Sequence, residues 1–303
     1  MFNALLKIQL FFEALYHSMI SLLRVLLRLR FKSGFSGVKT MKSDVIVLAN
    51  GPSLRQDLDK YESKISLCNT IAVNLFVLTE DFIRIKPDYY IFLDVVFLKK
   101  DTLPRVAEVR EKMLLAFKQN LKWEMVLLLP AEGRNSFFHK QLLEVNLPVK
   151  FVFFNRTSIY GLTGISHCIY SRGWGMPPPQ NVLIGALMAA IHIGFQKIYV
   201  LGADHSWLQE ISIDEKGVML INDKHFYNPE GKKLPKHHGE SLEQFKIHQY
   251  LNELSRTFKS HIMVQDFAKK KSVEIINASS ISYIDAYKKI NTEDIPWDQL
   301  LDK

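Results

Sequence analysis

Two groups of residues in this 303-residue chain have the types and spacing needed to hold a phosphorylated ligand and move a proton on it. The first consists of polar residues that each follow a short apolar run: Asn50-Gly51-Pro52-Ser53, Asn74, Asp94 and Gly202-Ala203-Asp204-His205-Ser206. Gly51 permits close backbone approach, and N–H groups at a helix start behind it could face a phosphate or a ribose. Asn74 and Asp94 suit a ribose or a base edge; capping or turn formation is the competing role for each. The second group is His237-His238-Gly239-Glu240-Ser241, in a polar stretch ahead of a helical pattern. A neutral imidazole near pH 7 is the usual general base for a sugar hydroxyl, whereas a solvated pair of loop histidines does nothing of the kind. Tyr227 could donate to a phosphate oxygen or simply pack as an aromatic.

Several chemistries are excluded or disfavoured. There is no GxxxxGK[ST] phosphate loop and no GxGxxG dinucleotide fingerprint. The two cysteines, Cys68 and Cys168, rule out a disulfide scaffold and a four-cysteine zinc site, and they fit a reducing compartment. His205, His225 and His237 or His238 match no metal-ligand spacing, so no metal is expected.

The elements that must position these residues read as α/β. Apolar runs at 45–49, 70–73, 89–93, 125–129, 149–154, 197–201 and 273–276 look like strands buried on both faces. Helical patterns occupy 79–85, 103–119, 136–145, 180–193 and 240–259. The alternation predicts a Rossmann-like, mostly parallel sheet with helices on both faces. In such sheets ligands bind beyond the carboxyl ends of the strands, which would bring the polar strand ends onto one rim. The Gly-rich segment 156–180, holding Arg156 and Arg172 and ending in Pro177-Pro178-Pro179, is long enough to be a lid or substrate loop. Asn181 follows it at a helix start, where N-capping is the simplest role. A hairpin insertion is expected within 207–238, with strands 211–213 and 218–221. The α/β domain spans 43–290, and 291–303 reads as a C-terminal tail.

The formal charge of +8 suggests nucleic acid only until it is located. Residues 1–42 carry seven Lys or Arg against Glu13, leaving +2 for the rest of the chain, so nucleic acid is not an expected partner. Residues 2–30 contain no Gly or Pro and read as one amphipathic helix within an appendage, 1–33. Glu13 and His17 interrupt the apolar run and Arg24 ends it early, which fits neither a full membrane span nor a secretory signal. An interfacial helix fits better, with leucines in the acyl boundary and arginines among anionic head groups. Packing on the protein's own core or on a second subunit is the alternative.

Two blocks resemble known families. Val45–Leu54, containing Asn50-Gly51-Pro52-Ser53, resembles the first strand and nucleotide loop of bacterial lipooligosaccharide sialyltransferases. Gly185–Asp204 resembles their later helix–strand unit. Both elements also occur in the hydroxymethylpterin diphosphokinase-like family, which includes proteins implicated in flagellin glycosylation. The resemblance implies that Asn50, Gly51 and Ser53 hold cytidine monophosphate and that Asn74 matches a nucleotide-contacting asparagine. Asp94 stands where the family tends to have a second asparagine. Asp204 matches the acid after the late strand, and Ser206 lies where a family tyrosine is replaced. His238, with His237 beside it, matches the general base, and Arg172 is the nearest counterpart of the catalytic arginine before Asn181.

The function this implies is transfer of a sugar acid from a CMP-activated donor to a cell-surface glycan or glycolipid. His238 would act as base, and Tyr227, His205 and Arg172 would stabilise the departing phosphate. No cofactor is expected, since the CMP-sugar is a substrate. The work would take place on the cytoplasmic face of the membrane, with residues 1–33 on the lipid surface and a homo-oligomer compatible with the rest. An ATP-dependent pterin-type diphosphokinase is the alternative, with magnesium held by Asp94 and Asp204. Transfer of a phosphonate or phosphate from a CMP carrier, and a membrane-recruited scaffold with an inactive nucleotide fold, complete the set.

Overall fold

A computed structural model describes residues 2–28, 34–38, 40, 43–222, 224–228, 230–235 and 243–300. Eight strands form one sheet in which every neighbouring pair is parallel. In chain order they are β1 (Asp44–Leu48), β2 (Thr70–Val73), β3 (Tyr89–Ile91), β4 (Met125–Pro130), β5 (Val149–Phe154), β6 (Lys197–Leu201), and then two strands near the C-terminus, Glu274–Asn277 and Lys288–Lys289. From β1 the sheet grows in one direction through β2, β3, β4 and β5. The chain then crosses back, places β6 on the other side of β1, and continues outward with the two late strands. This reversal beside β1 is the place where an open parallel sheet leaves a crevice at its carboxyl edge.

The sheet is buried on both faces because successive side chains alternate. Val45 and Val47 join one core, together with α6 (Thr163–Ser171) and α7 (Val182–Ile193), which is apolar except for His192. Ile46 and Leu48 join the other, with α2 (Leu54–Ile65), α4 (Pro104–Asn120) and α5 (Phe137–Leu143). The short α3 (Asp81–Ile85) packs at the edge of that second core through Phe82.

Three expectations change. The segment 156–180 contains α6, and Ile159, Tyr170 and Met176 are buried in the core, so apolar burial fixes most of it in place. The helix expected at 240–259 is α8, running Ile247–Lys270, with Val264, Phe267 and Ala268 extending the buried stripe. Residues 291–300 are not a loose tail: Trp297 of α9 (Trp297–Leu300) is buried and stacks on Tyr61 at 5.2 Å. The hairpin expectation stands and gains a strand. β7 (Ile211–Ile213), β8 (Met219–Asn222) and β9 (Lys233–Pro235) form a three-stranded antiparallel sheet. The late strands of the main sheet are therefore β10 (Glu274–Asn277) and β11 (Lys288–Lys289).

The N-terminal helix α1 (Phe2–Arg28) docks by one narrow, small-residue face. Ser21 donates to Tyr160 O at 3.0 Å, and Ser18 Oγ accepts from Leu162 N at 2.8 Å. Contact is so close that a Cβ at Gly161 would lie 2.6 Å from Ala14 O, and the φ of +114° there also requires glycine. Away from this face Leu5, Phe12, Met19, Leu23, Leu26 and Leu27 are exposed. By length and composition the helix could cross a membrane.

Candidate functional site

The carboxyl ends of β1, β2, β3 and β6 and the start of α7 surround a cavity of about 510 Å³. Asn50, Gly51, Asn74, Asp94, Asn181, Asp204, His205, Ser206 and Tyr227 all line it. Residues far apart in sequence thus meet at the crevice that the strand order creates.

At the end of β1, Asn50 is held from two sides. Its Nδ2 donates to Val73 O at 3.3 Å, and its carbonyl accepts from Phe226 N at 3.1 Å. Asn50 Oδ1 is buried without a hydrogen-bond partner among the described residues. A buried acceptor of that kind costs free energy until a donor reaches it, and a ligand hydroxyl or amino group is a fitting donor. Asn74 follows β2 with φ of +50°, a conformation asparagine tolerates better than most residues. The buried Tyr90 hydroxyl fixes that turn by donating to Asn74 O at 2.7 Å while accepting from Val77 N at 2.8 Å. Asp94 follows β3, and its carboxylate accepts from Val96 N at 3.0 Å. It caps its own turn while remaining exposed at the cavity wall.

The insertion closes the other side. Phe226 enters the core against Phe76 at 5.6 Å, which anchors the preceding His225 and the following Tyr227 at the rim. The His225 and Tyr227 rings stack at 5.0 Å. Lys224 lines the cavity, paired with Glu210 at 2.9 Å. Arg156 enters from the start of the 156–180 segment, paired with Glu132 at 3.3 Å.

Three expected site residues, Ser53, Arg172 and His205, sit differently. Ser53 is buried and does not line the cavity; its hydroxyl and N–H both go to Asp204. Arg172 lies away from the cavity, where it donates to Cys168 O at 3.1 Å and covers the Trp174 ring. Arg156 is the arginine that reaches the cavity, so the guanidinium expected there comes from the start of the segment and not from its middle. His237 and His238 lie outside the described residues. His205 is present but buried, and desolvation pushes its imidazole down to about 3, so it is neutral rather than a cation for a phosphate.

Sequence reading missed what stands behind His205. His261 on α8 and Tyr287 are buried beside it, in contact through ring nitrogens and a hydroxyl. The available signal was a histidine within the buried stripe Thr257, Ser260, His261 and Val264, since a buried imidazole needs partners. Among the described residues no group of three or more His, Cys, Asp or Glu is arranged to hold a metal ion.

No family model matches the sequence, and no curated protein matches it. In fold, the chain is similar to the MAf glycosyltransferase from Magnetospirillum magneticum AMB-1, at a TM-score of 0.50 and 11% identity. The match covers 86% of this chain and 36% of that one, so the chain spans about a third of the length of the protein it resembles.

Proposed function

We propose that this protein is a glycosyltransferase that moves a sugar acid from a CMP-activated donor to a glycan or lipid-linked acceptor. The observation that carries the reading is the meeting of Asn50, Asn74, Asp94, Asn181 and Tyr227 around one cavity at the strand-order reversal. The fold likeness to a glycosyltransferase supports the transfer class. The cavity matches the size of small-ligand sites, at roughly 300–1,000 Å³. Its asparagine side chains and the orphaned Asn50 Oδ1 suit the hydroxyl and amino groups of a nucleoside.

In this reading the acceptor hydroxyl attacks the donor's anomeric carbon as CMP leaves with the bond electrons. We assign the base to His238, with His237 its neighbour, in the segment that follows β9. Tyr227 and Arg156 would face the departing phosphate. General-base help is worth about a hundredfold to ten-thousandfold in rate. No resident metal is invoked. The diphosphokinase alternative gains no specific support, because Asp204 is committed to Ser53 and Asp94 to Val96.

The N-terminal helix supports a place at a membrane surface. Its docked face is small and polar, and its outward faces carry the leucines. That arrangement suits a helix lying in the interface of the cytoplasmic leaflet, near a lipid-linked acceptor.

The test is acceptor-dependent release of CMP from a panel of activated sugars, beside calorimetry with CMP and ATP. Donor turnover is expected, with CMP bound in preference to ATP. His238→Ala is expected to lower turnover about a hundredfold or more while CMP affinity stays within about threefold. ATP binding without CMP binding would overturn the donor class.

A further inference from the structure

Two helices begin at the cavity, and their first N–H groups differ in what they meet. At α2 they are already committed: Ser53 N donates to Asp204, Leu54 N to Gly51 O at 3.0 Å, and Arg55 N to Pro52 O at 3.2 Å. A phosphate arriving there would meet the Asp204 carboxylate instead of free donors. At α7 the cap is neutral. Asn181 Oδ1 accepts from Ile184 N at 3.2 Å, and the N–H groups of Val182 and Leu183 have no backbone partner among the described residues. Both residues line the cavity.

His205 stands beside that end with 9% of its surface exposed and φ of +50°. Its Nε2 lies 3.0 Å from Asn181 Nδ2 and 3.0 Å from His261 Nε2. Because Asn181 Oδ1 serves Ile184, the group turned toward His205 is the amide NH₂, so His205 Nε2 accepts. His261 Nε2 faces the same acceptor and therefore carries the proton. His261 Nδ1 is then an acceptor, and the Tyr287 hydroxyl donates to it at 2.8 Å. One tautomer is consistent with all four groups, and it puts the His205 proton on Nδ1. That N–H has no partner among the described residues, while His205 lines the cavity. Burial keeps the chain uncharged: it pushes His261 well below and Tyr287 well above the ordinary values.

We propose that His205 Nδ1–H and the N–H groups of Val182 and Leu183 form an oxyanion subsite for a phosphate, and that His261 and Tyr287 are positioning residues that fix the His205 tautomer. Dipolar donors at a helix start bind an anion without a matching buried cation. The subsite rests on the cavity reading above only for the carrier of that phosphate. It moves the phosphate from the Gly51 loop to α7.

The test uses the full chain labelled with ¹⁵N-histidine, with His205 assigned by its loss in His205→Asn. The expected spectrum at pH 7 shows His205 neutral and protonated on Nδ1, and inorganic phosphate shifts that resonance saturably. Tyr287→Phe is expected to turn the spectrum into a tautomer mixture and to weaken phosphate binding severalfold. His205→Asn keeps a donor at the Nδ1 position and tolerates positive φ, so it retains phosphate affinity within about threefold; His205→Gln loses about tenfold. Protonation on Nε2, a resonance indifferent to phosphate, or equal losses in the Asn and Gln variants would overturn the subsite. The wild-type spectrum needs no variant to fold. Phosphate binding at His205 in a protein that releases no CMP from any donor would leave the subsite standing and remove the transferase reading.

Discussion

The carboxylate of Asp204 accepts twice from Ser53, once from its backbone N–H at 2.9 Å and once from its hydroxyl. Both residues are buried. Burial pushes the Asp204 carboxyl up from the usual range, and the two Ser53 bonds pull it back. The pair joins the end of β6 to the start of α2, so the loop most suggestive of phosphate binding in the sequence is closed by the protein's own anion.

This makes Asp204 a structural residue with a measurable contribution. Asp204→Ala leaves the Ser53 donors buried and unpaired, and a loss of about 1–3 kcal/mol is expected in urea unfolding. Gly51→Ala acts on the same contact from the other side. Its Cβ would lie 2.5 Å from Asp204 Oδ1 and from Gly202 O, so backbone must move. A cost of about 1–3 kcal/mol and weaker CMP binding are expected. Unchanged midpoints in both variants would show that the loop is not braced this way.

Much of the fold was legible from the sequence because strands buried on both faces are short unbroken apolar runs. Val45–Leu48 and Lys197–Leu201 have no competing reading once a turn bounds them. The rim followed from the rule that parallel strands end together. Partners were not legible. Arg172 and Arg156 are equally plausible in sequence, and only the burial of Ile159 and Met176 decides which one reaches the cavity. Ser53 looked like a ligand donor because nothing in sequence shows that Asp204, 151 positions later, takes its hydroxyl. The His205–His261–Tyr287 chain joins three elements by contacts that no local pattern encodes.

The two arginines give a direct comparison. Arg172 is exposed and donates to its own helix at Cys168 O, so Arg172→Ala should leave donor affinity and turnover within about twofold, as surface changes usually do. Arg156 lines the cavity beside Glu132, and removing its charge-assisted donor should weaken CMP-donor binding about tenfold. Calorimetry on both variants checks this. The reverse ranking would mean that the segment rearranges around the ligand.

Acid should destabilise the protein through its buried histidines. Desolvation holds His205 at about 3 and His192 at about 4, below the unfolded value near 6.5, and pushes His261 down as well. The unfolded chain therefore binds more protons, and the stability these groups give is complete above pH 6.5 and lost as pH falls toward 3–4. Each contributes a slope of up to about 1.4 kcal/mol per pH unit. Asp57 has the opposite sign, since burial raises it to about 6. The Thr292 hydroxyl donates to Asp57 Oδ1 at 2.7 Å, which pulls the carboxyl only part of the way back down. Asp57 thus stabilises the fold as pH falls through 6 and partly offsets the histidines. Urea midpoints from pH 8 to pH 4.5 should decline below 6.5, and Asp57→Asn should decline more steeply from a higher start. A flat profile would contradict the neutral histidine core.

The outward face of α1 gives the last prediction. Leu26 is 79% exposed and Leu23 is 55% exposed, while the docked face runs through Ser18, Ser21 and Val25. Replacing Leu23 and Leu26 by Glu removes apolar area from the outward face and leaves the docking bonds of Ser18 and Ser21 intact. Burying a leucine is worth about 1.5–3 kcal/mol, so the pair should lower membrane partitioning by about a hundredfold or more. The assay is co-sedimentation with vesicles of phosphatidylcholine and phosphatidylglycerol, with thermal melting as the control for fold. The wild type should pellet less at high salt, because Lys7, Arg24 and Arg28 add an electrostatic part that salt screens. If the double variant pellets like the wild type, lipid is not what covers these leucines. If instead the wild type stays in the supernatant as a dimer and the double variant as a monomer, the face belongs to a second copy of the chain.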